Sequence, residues 1–230
     1  MFMKECKTIQ KVIFILAVIC VSITQSWADS WKEIFFADPT IFVENGKYYL
    51  TGTRNREPQG FAILESTDLK HWTVPNGKDL QLILRKGDQA FGEKGFWAPQ
   101  YFKDKRTYYF TYTANEQTVI ASSKSVFGPF RQKEVKPIDA SAKNIDSFLF
   151  KDDDGKYYLY HVRFNKGNYL WVAEFDIKKG SIKPETLKQC MDCTEAWEKT
   201  PNYKSAPVME GPTVMKWDGY ITSSILPIIL

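Results

Sequence analysis

An all-β fold is what this chain predicts, and within that class a β-propeller of four-stranded antiparallel blades. Three observations carry the expectation: a hairpin unit recurs four times, a further apolar run follows the first three copies, and an acidic residue stands at or beside the start of three of them. The first unit opens at Asp38-Pro39-Thr40, runs through Ile41-Phe42-Val43, turns at Glu44 to Lys47 and returns through Tyr48-Tyr49-Leu50. The second opens at Ala98-Pro99-Gln100, turns between Lys103 and Arg106, and returns through Tyr108-Tyr109-Phe110. The third opens at Asp146-Ser147, turns through Asp152 to Gly155, and returns through Tyr157-Tyr158-Leu159. The fourth places Glu210 just before Gly211-Pro212-Thr213, turns at Asp218-Gly219, and keeps only Tyr220 of the expected return. Asn-Gly and Asp-Gly supply the positive backbone angles of a tight hairpin, and aromatic and β-branched flanks suit a half-buried pleated surface.

Phe61 to Ser66, Val119 to Ser123 and Leu170 to Phe175 read as third strands, which brings each unit to blade size. About three complete blades and part of a fourth are then expected. In a propeller the first strand of each blade lines the central channel, so residues that open those strands converge at one mouth. A β-sandwich whose Asp-Pro and Glu-Gly-Pro groups merely begin turns is the alternative, and the repeated phase of the acids argues against it.

Residues 1–28 belong to a different element. Lys4, Lys7 and Lys11 precede an apolar run from Val12 to Ile23, and Ser26-Trp27-Ala28 offers small residues where a signal peptidase cuts. That run is shorter than the ~20 residues that span a bilayer. Cleavage after Ala28 is expected, in preference to a lipoprotein anchored through Cys20, because Ile19 fits the lipoprotein pattern poorly. The folded part is then 29–230, one incomplete propeller domain in a secreted or periplasmic protein. Losing three lysines and one glutamate lowers the formal charge from +4 to about +2. A chain so close to neutral, with no basic stripe and no amphipathic helix, speaks against nucleic acid and against a membrane surface as partners.

Two cysteines remain beyond the leader, Cys190 and Cys193. His71 and His161 lie too far off in sequence to complete a zinc site with them, so a loop disulfide or two thiols is the expectation. The acidic run Asp152-Asp153-Asp154 lacks the alternate spacing of a calcium loop and reads as a solvated hairpin tip.

Phe36-Ala37-Asp38-Pro39-Thr40, Trp97-Ala98-Pro99, Ile145-Asp146-Ser147 and Met209-Glu210-Gly211-Pro212 together resemble the motif series of glycoside hydrolase family 43, in order, from about residue 34 to residue 220. The resemblance implies a five-bladed propeller that hydrolyses plant cell-wall glycans with inversion, releasing α-L-arabinofuranose or β-D-xylose. It makes Asp38 the general base, Glu210 the general acid and Asp146 the auxiliary carboxylate that orients the acid and raises its pKa. The partner it implies is an arabinose- or xylose-containing oligo- or polysaccharide. No organic cofactor is implied; a central calcium ion is, but its ligands, like a basic sugar-contacting residue of the last blade, have no assignable residues here.

Those three acids also suit the reaction on chemical grounds. Inversion needs an ionised carboxylate on one face of the sugar and a protonated carboxyl on the other, about 6.5–9.5 Å apart. A third negative group beside the acid disfavours its ionisation. Trp97 is the candidate sugar platform, since an indole face packs on sugar C–H groups; packing between blades is its other reading. His161 could reach the channel, although a single histidine in an aromatic strand more often serves packing. After Tyr220 the tail Ile221 to Leu230 departs from the family pattern, so the rest of the fourth blade and the fifth are expected to be missing through truncation. Two functional classes follow: the hydrolase, inactivated if the truncation is damaging, or a secreted propeller that binds carbohydrate without cleaving it.

Overall fold

Residues 34–77, 79–195, 198 and 208–227 are described by the computed structural model. The leader expected at 1–28 and the last three residues of the tail lie outside the described residues. Among those described, every named strand pair is antiparallel.

The hairpin units form as the sequence indicates. In the first blade β1 (Ala37–Glu44) pairs β2 (Lys47–Thr53), which pairs β4 (Leu64–Ser66). The apolar run at 61–66 is split: β3 (Gly60–Ala62) leaves the blade and pairs β5 (Leu82–Arg85). Gly60 permits this, because a Cβ there would lie 2.2 Å from the Leu84 carbonyl oxygen. The second blade orders β6 (Trp97–Asp104), β7 (Thr107–Ala114) and β8 (Gln117–Ser123). The third orders β9 (Asn144–Lys151), β10 (Tyr157–Phe164) and β11 (Asn168–Asp176), with β12 (Ser181–Ile182) and β13 (Lys188–Met191) sharing the outer edge of β11. The fourth is β14 (Met209–Trp217) with β15 (Tyr220–Pro227).

Two details refine the expected blades. Fourth strands shrink to single bridges in the first two, Glu65 with Thr73 and Ser122 with Arg131. The fourth return strand does not stop at Tyr220: Ile221 to Pro227 continue it and pair β14 as far as Met209. Its β-branched Ile221, Thr222 and Ile225 fit a strand although the tyrosines of the other copies are gone. Asn45 and Gly46 at φ 50° and 73°, and Asp218 and Gly219 at 48° and 79°, give the paired positive angles of type I′ turns.

Blades stack face to face through apolar layers. Phe61, Phe96, Tyr101, Phe110, Tyr112 and Phe130 interlock between the first two, with ring centroids as close as 5.0 Å. Ile120, Leu149, Leu159, Ala173 and Phe175 fill the next layer, and Leu170, Cys193 and Met209 the layer before the fourth blade. Cys190 lies apart from Cys193 in character: it is exposed on β13 and its thiol donates to the Leu170 carbonyl at 3.4 Å.

A second device repeats between blades. The acid at or just past the end of each first strand is held by the lysine near the end of the next blade's first strand: Lys103 on Glu44, Lys151 on Asp104 at 2.8 Å, and Lys216 on Asp152. The tyrosine that opens the second strand joins in, Tyr108 donating to Glu44 while Lys103 lies 4.8 Å from its ring centroid. Lys151 likewise lies 5.1 Å from the Tyr157 ring. Water screens pairs of this exposure and they contribute little, so the apolar layers carry the stability and the ladder fixes blade register. The tip at Asp152 to Asp154 is therefore not simply solvated. Asp152 and Asp153 both receive Lys216, the latter at 2.9 Å, because the repeat brings that lysine over the tip.

Candidate active site

Each first strand is broken at the same place. Register shifts fall between Ala37 and Thr40, Trp97 and Gln100, and Glu210 and Thr213, and the partner of β9 slips between Tyr160 and Val162 opposite Asp146. The bulged residue has a left-handed backbone in every copy: Asp38 at φ 47°, Ala98 at 43°, Asp146 at 51° and Gly211 at 62°. Aspartate and glycine accept that region more readily than most residues, and strained, bulged positions of this kind gather at functional sites. Pro39, Pro99 and Pro212 follow three of the four bulges. They are tolerated because first strands are sheet edges.

The bulges aim their residues at one cavity. Its volume is about 200 Å³ and its wall consists of four tripeptides, 38–40, 98–100, 146–148 and 211–213, one per blade. Asp38 and Asp146 thus share a lining, as their phase in the sequence implies. Glu210 is one residue out of phase: Gly211 occupies the bulge, and the acid stands beside the cavity in the position that Trp97 holds in the second blade.

Hydrogen bonds fix each carboxyl. Thr53 Oγ1 donates to Asp38 Oδ2 at 2.6 Å. Asp146 Oδ2 accepts the Gly211 N–H at 3.1 Å, the amide that directly follows Glu210. Asn168, at the start of β11, donates its side-chain amide to Glu210 Oε1. None of these supporting residues stands out in the sequence, because Thr53 and Asn168 sit in strands whose composition speaks only of packing.

Burial, with the charges of Glu210 and then Asp38 adding to it, pushes the Asp146 carboxyl up to about 7, against the pull of the Gly211 N–H. Burial also raises Glu210 above the ordinary carboxyl range, opposed by Asn168 and assisted by Asp38. The sequence expectation had Asp146 as the charge that lifts Glu210. In the folded chain Asp146 is itself the more strongly raised of the pair, by burial first and then by the Glu210 charge, while Glu210 is raised by burial and Asp38. A raised carboxyl binds its proton more tightly folded than unfolded, so its stabilisation is complete below about pH 4 and is lost as pH rises to about 7. We predict that Asp146→Asn, which keeps an acceptor for Gly211, melts at higher temperature than wild type at pH 8 and shows no such advantage at pH 4. Thermal melting across that range checks it.

Trp97 is 38% exposed, and its indole lies over Gly95, where a Cβ would come within 3.1 Å of the ring. It stands next to the cavity wall without forming part of it. His161 is fully buried, and burial together with the Arg163 charge lowers its pKa to about 4, so the ring is neutral and inside the blade and not in the channel. Among the described residues no group of three or more His, Cys, Asp or Glu is arranged to hold a metal ion. No helix among them is long and apolar enough to cross a membrane.

Bulged inner strands from successive blades, delivering acids to one mouth, define a propeller with a carboxylate-lined site. The profile of Glycosyl hydrolases family 43 matches residues 32–224, and the chain belongs to that family. It is similar to an endo-1,4-beta-xylanase from Bacteroides thetaiotaomicron VPI-5482, with 39% identity and a TM-score of 0.68 over 81% of this chain and 61% of that one. A thermostable family-43 glycoside hydrolase superposes with a TM-score of 0.71 at 27% identity, covering 83% of this chain and 63% of the other. A xylosidase/arabinosidase of Butyrivibrio fibrisolvens is 28% identical across 81% of this chain, and an extracellular endo-alpha-(1->5)-L-arabinanase of Bacillus subtilis (strain 168) is 27% identical across 80%. The chain spans 36% and 56% of the lengths of those two relatives.

Proposed function

We propose that this chain carries the acid–base site of an inverting glycosidase acting on α-L-arabinofuranosyl or β-D-xylosyl linkages of arabinan or xylan. The observation that carries the reading is the set of repeated bulges, which places Asp38 and Asp146 in one cavity wall and Glu210 beside it. Asp38, the exposed member, takes a proton from water as that water attacks the anomeric carbon. Glu210, raised by burial, gives its proton to the departing glycosidic oxygen. Asp146 grips the peptide that follows Glu210 and shares the proton of the pair. The base and the acid come from the first and fourth blades, so substrate and water can lie between them, as inversion requires. Trp97, in the strand position equivalent to Glu210, supplies an apolar platform at the rim. The similarity to a xylanase, a xylosidase/arabinosidase and an arabinanase supports pentose-containing polysaccharides as the substrate class.

Export belongs to the same reading. The basic and apolar leader with small residues at Ser26 and Ala28 supports cleavage there, and the Bacillus relative is named as extracellular.

The test is early-time proton NMR of the sugar released from 4-nitrophenyl α-L-arabinofuranoside and 4-nitrophenyl β-D-xyloside. The expected first product is β-L-arabinofuranose or α-D-xylose, the inverted anomer. A retained anomer would overturn the mechanism. Retention on an arabinan or xylan affinity gel without turnover would replace the hydrolase by a binding module.

A further inference from the structure

Thr53 makes two hydrogen bonds with one hydroxyl, and together they leave its proton a single destination. Its oxygen accepts the Ala98 N–H at 2.9 Å, from the bulge of the next blade, so the remaining proton points to Asp38 Oδ2, 2.6 Å away. The side chain is buried, at 5% exposure, which keeps water from competing for either bond. The equivalent positions show what is particular about it. Thr113 likewise accepts the N–H of the following bulge, Asp146, at 3.0 Å, but the bulge of its own blade is Ala98, which has no carboxylate to receive its proton. In the third blade the position is Val162, and the next bulge N–H, that of Gly211, turns to the Asp146 carboxylate instead. A hydroxyl that ties blade to blade thus meets a carboxylate in the first blade, where the acid assigned as base sits.

We propose that Thr53 is the positioning residue of the general base: it occupies Asp38 Oδ2 and so leaves Oδ1 as the oxygen that meets the attacking water. The inference rests on the role assigned to Asp38 above. The bond to Ala98 fixes the donor, so the base is referenced to the second blade as well as to its own strand. Without it the carboxylate could rotate about its last torsion and present either oxygen.

The experiment compares Thr53→Val, which nearly preserves shape but has no donor or acceptor, with Thr53→Ser, which keeps both. On the aryl glycosides Thr53→Val should lose roughly ten- to a hundredfold in kcat, the scale of a hydrogen bond to a charged group, with KM nearly unchanged. Thr53→Ser, which keeps the donor, should restore kcat to near the wild-type value. A Thr53→Val kcat like that of wild type, or a serine variant as impaired as the valine, overturns the proposal. Two NMR readouts decide the geometry if the wild type turns over neither glycoside, which would defeat the catalytic reading alone. The Asp38 carboxyl carbon chemical shift must change in Thr53→Val and stay as in wild type in Thr53→Ser. In the wild-type chain itself the Thr53 hydroxyl proton must be protected from exchange and close to the Ala98 amide, which settles the matter even if the valine variant does not fold. A hydroxyl proton exchanging at the solvent rate overturns the assignment.

Discussion

Asp38→Asn should lower kcat on both aryl glycosides by roughly 10²–10⁴-fold, the usual contribution of a positioned general base, while KM and melting temperature stay close to wild type. The substitution is unusually clean at this position. Asparagine accepts φ near 47° about as readily as aspartate, so the bulge keeps its shape, and its amide oxygen can still accept the Thr53 hydroxyl. What is lost is the ability to take a proton. Steady-state kinetics and a thermal melt on the same preparation check both halves. A variant that keeps full kcat removes Asp38 from the reaction, whereas one that unfolds marks the residue as a structural bulge only. Asp38→Ala would be harder to interpret, because it deletes the acceptor of a buried hydroxyl together with the base.

The hairpin ladder was legible because its signals are local. Asn45-Gly46 and Asp218-Gly219 dictate turns by backbone chirality, and the paired tyrosines of the first three return strands fit a pleated, half-buried surface. The acids were legible for another reason: a repeat converts phase along the chain into position around an axis. What escaped the sequence depends on contacts between blades. Lys103, Lys151 and Lys216 each look like solvated strand-end charges until the preceding blade brings an acid to them, so Asp152 was read as a free tip. Thr53 and Asn168 are ordinary strand residues in the sequence and gain a role only through a partner 15 and 42 positions away. The return strand after Tyr220 is not legible because isoleucine and threonine, Ile221 and Thr222, stand where the other copies have paired tyrosines, and pairing with β14 overrides that change. The protonation order could not be read either. Which acid is lifted most depends on relative burial, and Asp146, set into the wall, is raised by burial before any neighbouring charge acts.

Glu210→Gln separates the acid from the base through the leaving group. Protonation by Glu210 matters most when the departing group is a sugar alkoxide, which leaves poorly without a proton, and least when it is 4-nitrophenolate, which leaves as the anion. The variant should therefore lose roughly 10²–10⁴-fold in kcat/KM on arabinobiose or xylobiose and far less on the matching 4-nitrophenyl glycosides. Glutamine preserves the acceptor for Asn168, so the side chain should remain in place while its outward atom becomes an amide that cannot deliver a proton. The pH profile supplies an independent sign. A raised carboxyl acting as acid is competent below its pKa and fails above it, so the wild type should show a basic limb that vanishes on the aryl substrate in the variant. Asp38→Asn should show the opposite pattern, an equal loss on both substrate classes, because the attacking water needs its base whatever group departs. Equal losses from Glu210→Gln on good and poor leaving groups would take the acid role from Glu210 and direct the search to its proton-sharing neighbour Asp146, which the same substrate pair would then test.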